Sequence, residues 1–130
     1  MGLSMTLRIG IDIQDLERFR RAVRRYGRRF LKHILTENEI SYCMRFRDPI
    51  PHLAARFSGK EALIKALGDV GDWAPSWRSM EIVSSDGKPV FKFDAKTRNM
   101  LERLGVEEVE VSLSHSGRYV VAVAIIRKVN

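Results

Sequence analysis

Apolar residues first recur at every second position, where Leu7, Ile9, Ile11 and Ile13 alternate with Arg8, Gly10 and Asp12. That period predicts a half-buried strand with its apolar row on the core and Asp12 ending its polar face. The spacing then becomes helical. Leu16, Phe19, Val23 and Tyr26 predict the buried stripe of a helix that Gly27 interrupts, and a second short helix follows around Phe30 to Ile34. Thr36-Glu37-Asn38-Glu39 has the Thr-x-x-Glu form of a capping box, which starts a short helix through Tyr42. Asp48-Pro49-Ile50-Pro51 ends that segment and opens a long helix closed by Gly68.

The stretch from Asp69 to Arg78 is irregular and reads as a loop long enough to carry function. Met80 to Val83 and Pro89 to Phe93 are short strands joined through Asp86-Gly87, a hairpin signal. Asp94 caps a helix from Ala95 to Leu104, which Gly105 closes. Val109 to His115 alternates as a strand, and the nearly continuous apolar run from Tyr119 to Ile126 suits a central one. This order predicts an α+β fold with helices packed on one face of a mainly antiparallel sheet. With 130 residues, the chain has length for one small domain, 1–130, of which 1–6 read as an irregular leader.

Composition narrows the class. No apolar run approaches the roughly 18 residues of a membrane span, so no membrane role is expected. The single cysteine, Cys43, has no partner for an intramolecular disulfide and reads as a small apolar filler in a cytoplasmic protein. Formal net charge is +7, and its placement says more than its size. Between Leu16 and Thr36 lie eight basic residues (Arg18, Arg20, Arg21, Arg24, Arg25, Arg28, Arg29, Lys32) and one acid, Glu17, a net of +7 that leaves the rest of the chain neutral. Nucleic acid is the default partner of such a segment, and a basic nucleic-acid-binding module is the alternative function. Its aromatics fit the buried stripe, however, and it has no helix-turn-helix pattern; an acidic protein helix suits it equally.

The long helix holds the candidate chemistry. Stepping about 100° per residue, Leu53, Phe57, Leu63, Ile64 and Leu67 form an apolar arc, with Arg56 and Lys60 inside it. Glu61 stands at the edge of the arc and Lys65 one turn on. A surface Glu-Lys pair explains the last two, but charges facing a core are costly unless something pairs with them. Asp12 and Glu61 could together hold a hard divalent cation, since Mg²⁺ takes one or two carboxylates and completes its shell with water and phosphate. Neighbouring Arg56, Lys60 and Lys65 would suit a polyphosphate beside it. Ser114 and His115 are strand neighbours on opposite faces, so Ser114 is poorly placed to use His115 as a base. His115 reads either as a phosphate or nucleotide contact or as an ordinary strand-end histidine. No P-loop, dinucleotide fingerprint or nucleophile elbow is present.

Five segments in fixed order, Ile9 to Ile13 (IGIDI), Arg29 to Ile40 (RFLKHILTENEI), Leu53 to Gly68 (LAARFSGKEALIKALG), Asp86 to Pro89 (DGKP) and Val111 to Ile125 (VSLSHSGRYVVAVAI), resemble the holo-acyl-carrier-protein synthase family of small bacterial phosphopantetheinyl transferases. The resemblance runs from about Leu7 to the C-terminus. It implies transfer of the 4′-phosphopantetheine arm of coenzyme A, the co-substrate, to a serine of an apo acyl carrier protein, with release of adenosine 3′,5′-bisphosphate. It further implies Mg²⁺ held by Asp12 and Glu61, the catalytic acids, with Lys65 stabilising the phosphate. Arg56, Lys60, Lys65 and His115 match positions lining the coenzyme A site, and Gly87 and Pro89 match the turn near its adenine. The incoming serine needs a base, either Glu61 or a water on the metal. Arg18, Arg25, Arg28 and Arg29 would grip the acidic recognition helix of the carrier, which makes the basic segment a protein-docking surface in place of a nucleic-acid one. Such enzymes resemble homotrimers with active sites between subunits. The chain departs from the family's Phe-Ala-Ala-Lys-Glu-Ala form at Ser58 and Gly59, both small replacements that leave the metal and phosphate expectations in place.

Overall fold

The computed structural model describes residues 4–129. Strand β1 (Met5–Asp15) pairs antiparallel with β5 (Tyr119–Val129), and β5 pairs antiparallel with β4 (Val106–Ser116), giving the order β1-β5-β4. The long apolar run thus forms the central strand, as its composition predicts. Of the expected leader, residues 1–3 lie outside the described residues, whereas Met5 and Thr6 are already paired with Val129 and Lys128 and belong to β1.

The alternation in β1 is as expected, but its faces are reversed. Gly10 and Asp12 are buried, while Leu7, Ile9, Ile11 and Ile13 are 66%, 67%, 59% and 62% exposed. The helix-facing row of the sheet is built from small residues: Gly10 is paired with Ala124, and Asp12 with Ala122. A methyl group on Gly10 would sit 1.9 Å from the carbonyl oxygen of Ala62, so helix α3 (Ile50–Leu67) rests directly on the β1 backbone there. Gly59 repeats the device farther along, where an added carbon would meet Ile82 at 2.6 Å and Leu113 at 3.3 Å. Small residues on both surfaces bring helix and sheet close enough for Asp12 to reach α3.

Asp15 caps helix α1 (Leu16–Ile34) by accepting from the Glu17 and Arg18 amides. The helix breaks at Gly27, whose φ of 65° suits glycine, as the sequence predicts. Leu16, Phe19, Leu31 and Ile34 are buried, but Tyr26 is 58% exposed and lies outside the expected stripe, with the Arg25 guanidinium 5.5 Å from its ring centre. Thr36 and Glu39 form the expected capping box on helix α2 (Glu37–Cys43). Phe19, Leu31, Leu35, Ile40, Cys43 and Leu53 form one apolar cluster; Leu63, Met80, Leu101, Ala124 and Ile126 belong to a second under the C-terminal half of α3.

Strands β2 (Met80–Ser85) and β3 (Lys88–Phe93) form a hairpin whose two turn residues, Asp86 and Gly87, both have positive φ (49° and 78°), a type I′ turn. The hairpin is a sheet of its own and does not extend the three-stranded one, so the expected single sheet is two. Helix α4 (Ala95–Arg103) packs on β3 and β4 and links the two sheets in one α+β domain. The Asp69–Arg78 stretch holds only a 3₁₀ turn, Trp77–Ser79, and is anchored by Val70, Trp73 and Trp77 against the core. Among the described residues no helix is long and apolar enough to cross a membrane.

Candidate active site

Lys60, expected to line a ligand, is instead sealed inside the protein at 0% exposure. Its ammonium donates to Glu39 Oε1 at 2.5 Å and to the carbonyls of Ile34 and Trp77, each at 2.9 Å. Burial pushes its pKa down and the Glu39 carboxylate opposes that push. All three donors are used within the core, so Lys60 serves here as a buried structural cation. Glu39 also accepts from the Thr36 and Ile82 amides, which ties α2, α3 and β2 together.

The remaining charges of α3 fall on two sides of the helix. Toward β1 stand Asp12, Glu61 and Lys65. Asp12 is 8% exposed; its Oδ1 accepts from Lys65 Nζ at 3.1 Å, and its Oδ2 from Gln14 Nε2 at 2.8 Å and Ser58 Oγ at 2.9 Å. Lys65 also donates to the Ile11 carbonyl at 3.1 Å, and its side chain remains 54% exposed. Burial, and then the neighbouring charge of Asp12, push the Glu61 carboxyl above its ordinary range, with Lys65 partly offsetting this. The half-solvated Lys65 ammonium is therefore bonded to Asp12, and its charge is also felt at Glu61.

This arrangement fits a hard cation. The donor set is oxygen only, and the repulsion that raises the Glu61 pKa is what a divalent ion would relieve. Among the described residues there is no cluster of three or more histidine, cysteine, aspartate or glutamate side chains able to hold a metal.

Toward β4 lies Arg56, 6% exposed, with its guanidinium 4.5 Å from the centre of the Tyr42 ring. No carboxylate pairs with it among the described residues, and its buried Nε has no hydrogen-bond acceptor. A buried guanidinium nitrogen left without an acceptor carries a desolvation cost that an added acceptor would relieve. His52 and His115 line a groove of about 420 Å³ beside it with Ser114 and Leu113. Burial, then the charges of Arg56 and His115, push the His52 pKa down, and the Asp48 carboxylate opposes them. His115 is registered through Val120 to Gln14, so the backbones of His115 and Gln14 lie two strand spacings, about 10 Å, apart.

The structure thus brings Asp12, Glu61 and Lys65 together, and Arg56 with His115, but sets Gly87 and Pro89 apart from both. Pro89 lines a groove with Glu110, Ser112, Val123 and Ile125, residues of the sheet face turned away from α3. Four contributors escaped the sequence reading. His52 stands four residues before Arg56 and Gln14 two after Asp12, spacings that put each on the same face as its partner; Tyr42 and Ser58 gave no such signal. Cys43 is fully buried, and burial pushes its thiol to about 11, which leaves the expected apolar filler. Arg18, Arg25, Arg28 and Arg29 are all exposed on α1, with Arg28 3.6 Å from Glu37.

The 4′-phosphopantetheinyl transferase superfamily model matches residues 8–124. A holo-[acyl-carrier-protein] synthase from Chloroherpeton thalassium is 42% identical over 121 residues, covering 92% of this chain and 97% of the relative. One from Chlorobium limicola is 41% identical over 121 residues, covering 92% and 93%. The crystal structure of the Neisseria meningitidis holo-[acyl-carrier-protein] synthase superposes with a TM-score of 0.84 at 33% identity, covering 92% of this chain and 96% of that one. The Helicobacter pylori synthase, solved in complex with coenzyme A, gives a TM-score of 0.78 at 28% identity, covering 91% and 98%. With the acid pair, its ammonium and the buried arginine all inside the matched span, the chain belongs to the 4′-phosphopantetheinyl transferase superfamily.

Proposed function

We propose that this chain transfers the 4′-phosphopantetheine arm of coenzyme A to a serine of apo acyl carrier protein, releasing adenosine 3′,5′-bisphosphate. The observation that carries the reading is the electrostatic coupling of two carboxylates, Asp12 and Glu61, beside the half-exposed amine of Lys65, which bonds Asp12. Such a set suits a diphosphate held through a divalent cation. Mg²⁺ bound to Asp12 and Glu61 would supply charge neutralisation on the diphosphate. Lys65 moves from Asp12 to a phosphate oxygen, a change its solvated side chain permits at low cost. Arg56, His52 and His115 take a phosphate at the nucleotide end, giving the orphaned Arg56 Nε an acceptor. The carrier serine oxygen attacks the β-phosphorus, the bond to the adenosine-side phosphate breaks, and that phosphate leaves with the electron pair. Glu61, whose carboxyl is held above its ordinary range, takes the serine proton.

The chain completes this site as a homotrimer. Leu7, Ile9, Ile11, Ile13 and Ile125 form an exposed apolar face larger than the scattered apolar residues of an ordinary monomer surface, which favours burial against a second copy. Pro89 borders that face, and with Gly87 of the same turn it would serve the adenine in a neighbouring subunit's site. Arg18, Arg25, Arg28 and Arg29 dock the acidic helix of the carrier, and Tyr26, Arg25 and Arg29 line a groove beside the Gly27 break that suits it. The reaction is assigned to the cytoplasm.

Incubating the protein with apo carrier, coenzyme A and Mg²⁺ and weighing the carrier by mass spectrometry tests the reading. A phosphopantetheine-sized gain is expected. Its absence with a competent carrier would sink the proposal, and salt-dependent nucleic-acid binding in its place would favour the alternative.

A further inference from the structure

The two oxygens of Asp12 are held in different ways. Oδ2 accepts from Ser58 Oγ at 2.9 Å and from Gln14 Nε2 at 2.8 Å, donors that come from α3 and from β1. Ser58 is fully buried, and its hydroxyl also lies 3.2 Å from the Asp12 carbonyl. With one proton to give, the hydroxyl favours the nearer, anionic acceptor. Oδ1 has a single partner of another kind, the Lys65 ammonium at 3.1 Å on a side chain 54% exposed. One oxygen is thus fixed from two elements of the fold, while the other is held only by a donor whose side chain is half exposed.

We infer that Ser58 and Gln14 are positioning residues that hold Asp12 Oδ2 and so present Oδ1 alone to the divalent ion. This rests on the reading of Asp12 as a metal ligand. Two fixed donors stop rotation of the carboxylate about its terminal bond, so the ion meets one preset oxygen and displaces only Lys65, which then becomes available to phosphate. Partners of this kind typically change metal affinity 10–100-fold when removed. A hydroxyl that merely satisfied its own burial would affect folding without affecting the ion.

The test uses Mn²⁺ as probe in the presence of coenzyme A, followed by the electron paramagnetic resonance signal of free Mn²⁺, with the melting temperature and the Mg²⁺ dependence of the rate in parallel. Ser58→Ala should weaken Mn²⁺ binding about tenfold and raise the half-saturating Mg²⁺ concentration to match, with the KM for coenzyme A at saturating Mg²⁺ unchanged. Gln14→Ala should act in the same direction. It removes a half-buried side chain, so it decides the matter should Ser58→Ala fail to fold. Asp12→Asn is the reference. If it loses Mn²⁺ while folded Ser58→Ala and Gln14→Ala bind as the parent does, the positioning role is overturned and the metal site stands. If Asp12→Asn binds Mn²⁺ normally, both readings fall.

Discussion

Lys60→Met removes an ammonium that gives its protons to three oxygens inside the core, Glu39 Oε1 and the carbonyls of Ile34 and Trp77. Methionine fills similar volume, so the loss is electrostatic. Glu39, 1% exposed, keeps the Thr36 and Ile82 amides but faces no cation. Breaking a buried pair from one side costs about 3–5 kcal/mol. For 130 residues the unfolding entropy is about 0.27 kcal/mol/K, so the melting temperature should fall by about 11–18 °C. Adding Glu39→Gln should restore at least half of that, because the unpaired charge is gone. Calorimetry of both variants reads the stability, and steady-state assays at a temperature where both are folded read function. The KM for coenzyme A should stay at the parent value, since the Lys60 amine touches only protein. A melting temperature within about 2 °C of the parent together with a tenfold rise in KM would refute the reasoning and return Lys60 to the ligand.

Glu61→Gln should abolish turnover while leaving carrier binding intact, whereas Arg29→Glu should raise the KM for carrier and spare coenzyme A binding; kinetics with calorimetric binding separates the two. Ile11→Asp puts a charge in the middle of the exposed apolar face, so light scattering should report monomers and activity should fall with the assembly. His52 is held below its ordinary pKa and is uncharged at neutral pH in the free protein. A bound phosphate favours its charged form, so binding takes up a proton and the KM for coenzyme A should fall as pH drops from about 8 to 6. His52→Ala should flatten that part of the profile. Gly10→Ala would place a methyl 1.9 Å from a backbone oxygen and should leave little folded protein in a chemical denaturation series.

The local devices were legible in the sequence because each depends on a few neighbouring residues: the Thr36 capping box, the breaks at Gly27 and Gly68, and the Asp86-Gly87 turn. Three features were not, and each depends on something distant. The period of β1 gives which residues share a face but not which face is covered, and here the apolar row is left for another surface while Gly10 and Asp12 meet α3. Lys60 read as misplaced because its partner, Glu39, lies 21 positions away. Ser58 read as a neutral small replacement, yet its hydroxyl reaches Asp12 across 46 positions. Among the site residues, Asp12, Glu61 and Lys65 were found by charge pattern and resemblance together, whereas Tyr42 under Arg56 carried no signal in one dimension.

The contact at Gly10 also bears on how the chain can diverge. Ala62, whose carbonyl meets that glycine, is adjacent to Glu61, and Asp12 is two residues from Gly10 along β1. The spacing between the two acids is therefore gauged backbone to backbone, with no side chain interposed as a spacer. Core residues elsewhere can swap volumes over generations without detuning it. Drift is tolerated across most of the interior, and the chemistry is insured by one position, Gly10, that must stay bare.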